Sequence, residues 1–133
     1  TPIGQARLAR PGSEATIVAY GACVETALRA AELLGADVEV LDLRTLWPLD
    51  QRAILASLER TSRLLVLQEA PRSAGVAGHV LSLVAREGFQ LLDAPPALHA
   101  PPDTPVPFAP ELEDAYLPSP ESAAVALREL LSF

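Results

Sequence analysis

The apolar positions of this chain fall into short blocks that alternate between two periods. Ala15–Tyr20 (ATIVAY), Val38–Leu43 (VEVLDL) and Arg63–Gln68 (RLLVLQ) are compact runs, as expected of strands covered on both faces. Between them, apolar residues recur at helical spacing. Val24, Ala27, Leu28, Ala31 and Leu34 predict a helix over Cys23–Leu34, with Glu25 and Arg29 four apart and Gly35 as its stop. Asp50 caps a second helix that runs to Arg60 and carries Ile54, Leu55 and Leu58. Val76, Val80, Leu83 and Val84 mark a third, from Gly75 to Glu87, ended by Gly88. Ser119, Pro120 and Glu121 open a fourth, with Val125, Leu127, Leu130 and Leu131 as its apolar positions. Two weaker strands are placed at Ile3–Ala9, as an edge, and at Ala97–His99. Strands alternating with helices predict crossover units and a mostly parallel sheet covered on both faces.

Composition narrows the classes. The 133 residues suit one domain, 1–133, and half of them are hydrophobic. Seventeen acids against ten bases give a net charge of −7, which argues against a nucleic-acid surface and against an anionic membrane. No apolar run approaches the roughly 18 residues of a membrane span, and no signal-peptide pattern opens the chain. The single cysteine, Cys23, excludes a disulfide framework and any multi-cysteine zinc site. A cytoplasmic protein is expected. All ten bases are arginine, which reads as compositional bias. Nine of the 13 prolines lie between Pro95 and Pro120, and residues 93–133 hold seven acids and only Arg128. Residues 93–120 therefore read as a proline-rich acidic loop region, either functional or packed irregularly on a neighbour.

In an open α/β sheet, ligands bind beyond the carboxyl ends of the strands. Gly21 stands at one such end, but a single glycine is not a phosphate-binding fingerprint, and a tight strand–helix turn is the plain reading. Cys23 opens the following helix, where a dipole lowers a thiol pKa, yet no histidine is near it in sequence, and a buried structural thiol is favoured. Asp42, Arg44 and Trp47 crowd the next end: either an ion pair shapes the loop, or Arg44 and Trp47 form a contact surface. Glu69 and Arg72 follow, suited to acid–base or anion work, or to fixing a loop or subunit contact. Ser73 lacks a nucleophile-elbow frame, and His79 and His99 lack metal-ligand spacing. Glu111, Glu113 and Asp114 read most simply as a solvated face. No constellation is complete, so the residues alone describe an α/β domain without an active site of its own.

An ordered set of motifs goes further: Ile3-Gly4-Gln5-Ala6, Ala19-Tyr20-Gly21, Asp42-Leu43-Arg44-Thr45-Leu46 with Pro48 and Asp50, Glu69-Ala70-Pro71-Arg72 with Gly75, Pro102-Asp103-Thr104-Pro105-Val106-Pro107, and Tyr116-Leu117-Pro118. Over nearly the whole chain these resemble the C-terminal domain of the β subunit of thiamine-diphosphate-dependent 2-oxo acid dehydrogenases (the E1 components), and more broadly the transketolase C-terminal domain. Gln68 stands where histidine is common, Ala74 where glycine is, Ala100-Pro101 where Thr-Gly is usual, and Trp47 is larger than the usual occupant.

The resemblance implies an α/β fold, a three-layer α/β/α sandwich on a mostly parallel five-stranded sheet with one antiparallel edge strand. It implies a fragment that begins at Thr1-Pro2 in an interdomain linker. Oxidative decarboxylation of pyruvate or a branched-chain 2-oxo acid, with thiamine diphosphate and magnesium, would belong to the full enzyme. No catalytic, cofactor-binding or metal residue is assigned to this domain. The implied partners are the E1 α subunit or domain, a second β subunit, and the subunit-binding domain of the acyltransferase (E2). Arg44, Trp47, Glu69, Arg72, Asp103 and Pro105 are the subunit-interface candidates, and Glu111, Glu113 and Asp114 the docking candidates. Two alternatives stand beside this: the equivalent domain of another transketolase-family enzyme, or a stand-alone flavodoxin-like module binding a small ligand near Gly21 and Asp42.

Overall fold

The computed structural model describes residues 2–133. β2 (Ala15–Ala19) and β4 (Leu64–Leu67) are buried at every position, and β3 (Val38–Asp42) at all but its last. Successive strand side chains point to opposite faces, so each strand feeds two cores. Ile17, Val40, Leu65 and Leu67 pack against α1 (Cys23–Leu34) and α5 (Pro120–Leu131). Val18, Leu41, Leu64 and Val66 pack against α2 (Gln51–Thr61) and α3 (Ala77–Glu87). Two helical layers thus cover one sheet, with β1 (Arg7–Arg10) and β5 (Ala97–His99) at its edges. The order is β1-β3-β2-β4-β5; β1 runs antiparallel to β3, and every other pair is parallel. This is the three-layer sandwich with one antiparallel edge strand that the family resemblance implies. Among the described residues, no helix is long and apolar enough to cross a membrane.

Four local features depart from the expectation. The first strand pairs only from Arg7, not from Ile3. Gly4 turns the chain at φ +79°, its N–H donates to Thr45 Oγ1, and Ala6 N–H donates to the Asp50 carboxylate at 2.9 Å. The segment is therefore tied to the loop before α2 and not to the sheet. Of the expected linker residues Thr1-Pro2, Thr1 lies outside the described residues. The third helix starts at Ala77, not Gly75, because Gly75 sits at φ +77°. The proline-rich stretch contains a seven-residue helix, α4 (Pro110–Tyr116), that periodicity does not reveal.

The fourth departure is chemical: the central strands are not apolar throughout. Thr16 and Glu39 are register partners on the α2 side, and Glu39 is only 1% exposed. α2 sets Ser57 and Thr61 against Thr16, at 2.6 and 2.7 Å between hydroxyl oxygens. The Ser57 hydroxyl donates to Glu39, and the Arg60 guanidinium closes on the same carboxylate at 2.6 Å. Paired and hydrogen-bonded in this way, a buried charge is tolerable. The row fixes where α2 sits on the sheet more sharply than methyl groups would. Asp50 caps α2 by accepting from Ala53 N–H, and Ser119 with Ser122 forms a capping box on α5.

Two glycines make opposite predictions. At Gly12 an added methyl would lie 2.3 Å from the Val38 carbonyl carbon and 2.4 Å from the Glu39 nitrogen, against the backbone of β3. Gly12→Ala should therefore lower stability by about 1–3 kcal/mol, as overpacking does. At Gly78, inside α3, the same methyl meets nothing within 4 Å. Gly78→Ala should raise stability by about 0.5 kcal/mol. Urea denaturation of the two variants checks both signs.

Candidate functional site

The parallel strands all end on one edge of the sheet, and the loops that follow them gather there. These are Tyr20-Gly21 after β2, residues 43–50 after β3, residues 68–76 after β4 and residues 100–119 after β5. His99 Nε2 lies 2.8 Å from Ser122 Oγ in the first turn of α5, so the long last excursion returns to the edge it left. Arg44, Trp47, Glu69, Arg72, Asp103 and Pro105 all stand on these loops.

The structure joins some of them and separates others. Arg72 N–H donates to the Pro101 carbonyl at 3.0 Å, and Asp103 accepts from both the backbone N–H and the hydroxyl of Ser73. These bonds from Ser73, helped by the charge of Arg72, hold the Asp103 carboxyl below the usual carboxylate range. Glu69 and Arg72 are both exposed, and no ion pair joins them among the described residues. The ion pair sought between Asp42 and Arg44 is also differently made. Asp42 pairs across the edge strand with Arg7 at 3.3 Å, because the β1–β3 register sets those two residues opposite. Its other oxygen accepts the backbone N–H of Arg44, which sits at φ +57° with its side chain in solvent. Trp47 is 82% exposed, its ring 6.2 Å from that of His79. Beyond Pro105, Val106 and Leu112 are exposed, and Phe108 is wholly so. Glu111, Glu113 and Asp114 face solvent on α4.

The groups able to do chemistry are mostly committed elsewhere. Burial, with the charge of Glu69 adding to it, pushes the Cys23 thiol up to about 12, so the helix start does not activate it. Burial also raises Tyr20 and, with the nearby Arg72, lowers His99, which is bonded to Ser122. A cleft of about 660 Å³ opens beside Gly21, but Arg7 and Arg44 face Glu25 and Asp42 in its lining, which leaves no net charge for an anion. Among the described residues, no three His, Cys, Asp or Glu side chains are grouped to hold a metal.

One surface escapes the sequence reading. At the opposite, amino edge, Ala85, Phe89, Leu92, Pro95, Pro96 and Phe133 line an apolar groove of about 700 Å³. Phe89 and Phe133 are both largely exposed. The available signal was two aromatics standing outside every helical periodicity, each just past the end of a helix.

Fold and edge together define a three-layer α/β domain whose polar side chains hold its loops in place. The sequence profile described as transketolase, C-terminal domain, matches residues 4–123, and the chain belongs to that family. It is 47% identical over 133 residues to the β subunit of acetoin:2,6-dichlorophenolindophenol oxidoreductase of Bacillus subtilis (strain 168), covering 98% of this chain and 39% of the relative. It is 41% identical to the β subunit of the pyruvate dehydrogenase E1 component of Rickettsia felis, covering 97% of this chain and 40% of that one. It is 37% identical to the 2-oxoisovalerate dehydrogenase β subunit of Bacillus subtilis, covering 99% and 42%. The chain thus spans about two fifths of the length of these curated relatives. Among solved structures, a split-gene transketolase described as an inactive β4 tetramer superposes with a TM-score of 0.86 over 99% of this chain and 44% of the other, at 23% identity.

The thiol gives this site its prediction. Cys23 should resist iodoacetamide at pH 8 in the folded protein and react within minutes in denaturant. Mass spectrometry before and after unfolding reads the difference, and rapid native labelling would contradict the burial.

Proposed function

We propose that this chain is the C-terminal assembly domain of the β subunit of a thiamine-diphosphate-dependent 2-oxo acid dehydrogenase, holding subunits together and leaving catalysis to other parts of the enzyme. The observation that carries this reading is the exposed apolar set at the carboxyl edge. Trp47, Val106, Phe108 and Leu112 all stand in solvent, a pattern that marks interaction surfaces. The activity in this reading is taken from the relatives named as β subunits of the pyruvate dehydrogenase E1 component and of 2-oxoisovalerate dehydrogenase. On this reading the partners are an α subunit or domain, a second β subunit and the subunit-binding domain of the acyltransferase, and the location is the cytoplasm. Arg44, Trp47, Glu69, Arg72, Asp103 and Pro105 remain the proposed interface residues, and the groove between Phe89 and Phe133 joins them as a second contact surface.

Thiamine diphosphate and magnesium belong to the rest of such an enzyme. The residues described here do not fit the pair: they offer no grouped metal ligands, and the cleft beside Gly21 balances its arginines with carboxylates.

Sedimentation of the complete gene product, with and without Trp47→Ala or Phe108→Ala, tests the assembly role. Either substitution should weaken subunit association while leaving the fold intact, since both side chains are free of the core. Association unchanged by both would refute the edge as the contact. Docking makes a separate, kinetic demand. An acidic face steers a basic partner and speeds its encounter more than it deepens the final affinity. Binding of a basic subunit-binding domain should slow from low to physiological salt, as exposed charges are screened beyond roughly 8–10 Å. Charge reversal at Glu111, Glu113 or Asp114 should slow it too. On-rates indifferent to salt and to all three reversals would leave the acids a solubility feature.

A further inference from the structure

Gln68 is fully buried at the end of β4, in a position where the chain must stop being a strand and turn to reach α3. Both ends of its amide are used. Nε2 donates to the carbonyls of Ala70, Pro71 and Ala74 at 3.2, 3.2 and 2.9 Å. Oε1 accepts from Ala77 N–H at 3.0 Å and from the Tyr20 hydroxyl at 3.3 Å. The loop is wound closely on this amide. A methyl at Gly75, already at φ +77°, would lie 2.8 Å from Oε1 and 2.8 Å from the Ala70 Cβ. The outer turn of the same loop presents Arg72 and Ser73, which bond Pro101 and Asp103 of the next excursion. A chain of contacts therefore runs from a core amide to the exposed arm that carries Pro105, Val106 and Phe108.

We propose that Gln68 is the positioning residue of the subunit-contact arm: it winds residues 70–77 into one shape, and Ser73 transmits that shape to Asp103. The proposal rests on the assembly reading above. A side chain with donors at one end and an acceptor at the other is required. Methionine has the length but leaves three carbonyls, one N–H and one hydroxyl without this partner. Buried polar groups left unpaired are costly, so the loop opens toward water. The arm then loses its anchor while the sheet beneath it remains. Ser73 acts later in the chain of contacts, because none of its bonds described here holds residues 74–77.

The test compares Gln68→Met with Ser73→Ala in the complete gene product. Gln68→Met should speed amide exchange at Ser73 and Ala77 by about tenfold or more relative to the β2 amides, as a local opening does. It should also move the Asp103 titration up toward the ordinary carboxylate range, and weaken subunit association several-fold. Ser73→Ala should move Asp103 and association in the same way while leaving Ala77 protected. That order of dependence separates positioning from general stability, which would shift all amides in step. Unchanged Ser73 exchange and Asp103 titration in Gln68→Met would overturn the proposal. Equal exposure of Ala77 in both variants would also overturn it. A loosened arm with unaltered association would overturn it as well, and Trp47→Ala and Phe108→Ala then decide separately whether the assembly reading falls with it.

Discussion

Parallel pairing of β2 with β3 and β4, and of β4 with β5, decides where every other part of this molecule sits. A parallel strand cannot be followed by a hairpin; the chain must cross back over a face before it pairs again. The crossovers place α1 on one face and α2 and α3 on the other, and α5, which follows the last strand, packs beside α1, so the strands are buried on both sides. The same constraint sends the carboxyl end of every parallel strand to one edge. The loops there are not held by strand pairing, so their shapes depend on side chains. Asp42, Asp50, Gln68 and Asp103 each accept backbone N–H groups that the sheet leaves free.

The polar interior has a division of labour that follows from this. Beneath α2, Glu39, Arg60, Ser57, Thr16 and Thr61 are satisfied among themselves and set the helix on the sheet. At the carboxyl edge, Gln68 is satisfied by backbone and sets a loop. In both places the titratable or reactive groups are consumed by structure. Cys23 is buried with its pKa raised, and His99 is half-buried and bonded to Ser122. The hydroxyl–imidazole pair at the edge, Ser122 with His99, is itself tied into the capping box of α5.

What was legible in the sequence is what short-range pattern controls. Helix α1 matches its apolar spacing at both ends, and α5 starts where Ser119 and Pro120 place it. What was not legible depends on partners distant in the chain. Asp42 finds Arg7, 35 residues away, because an antiparallel edge brings them together; its sequence neighbour Arg44 turns into solvent. The first strand loses its early residues to Thr45 and Asp50, more than 40 positions on. Helix α4 is short, opens with proline and buries only Tyr116, so it has no apolar stripe to betray it. Glu39 reads as a polar residue in a strand, yet only the register with Thr16 and the placement of α2 reveal a buried network.

The acidic last third shows how far structure alone explains composition. Asp103 is committed to Ser73, and Glu111 and Glu113 lie in the first turn of α4, where a helix dipole favours negative charge. These acids have a local reason to be where they are. That reason does not extend to the residues interleaved with them. Val106, Phe108 and Leu112 gain nothing from solvent, and none belongs to either core cluster. On the proposed assembly reading, this apolar centre edged by acids is a contact surface, in which burial would supply affinity and the charged rim would select and steer. The proline content fits the same logic, since a chain with fixed φ loses less freedom when a partner covers it. The arm is thus stiffened by its prolines and anchored at Asp103, and it holds its apolar side chains away from the body of the domain.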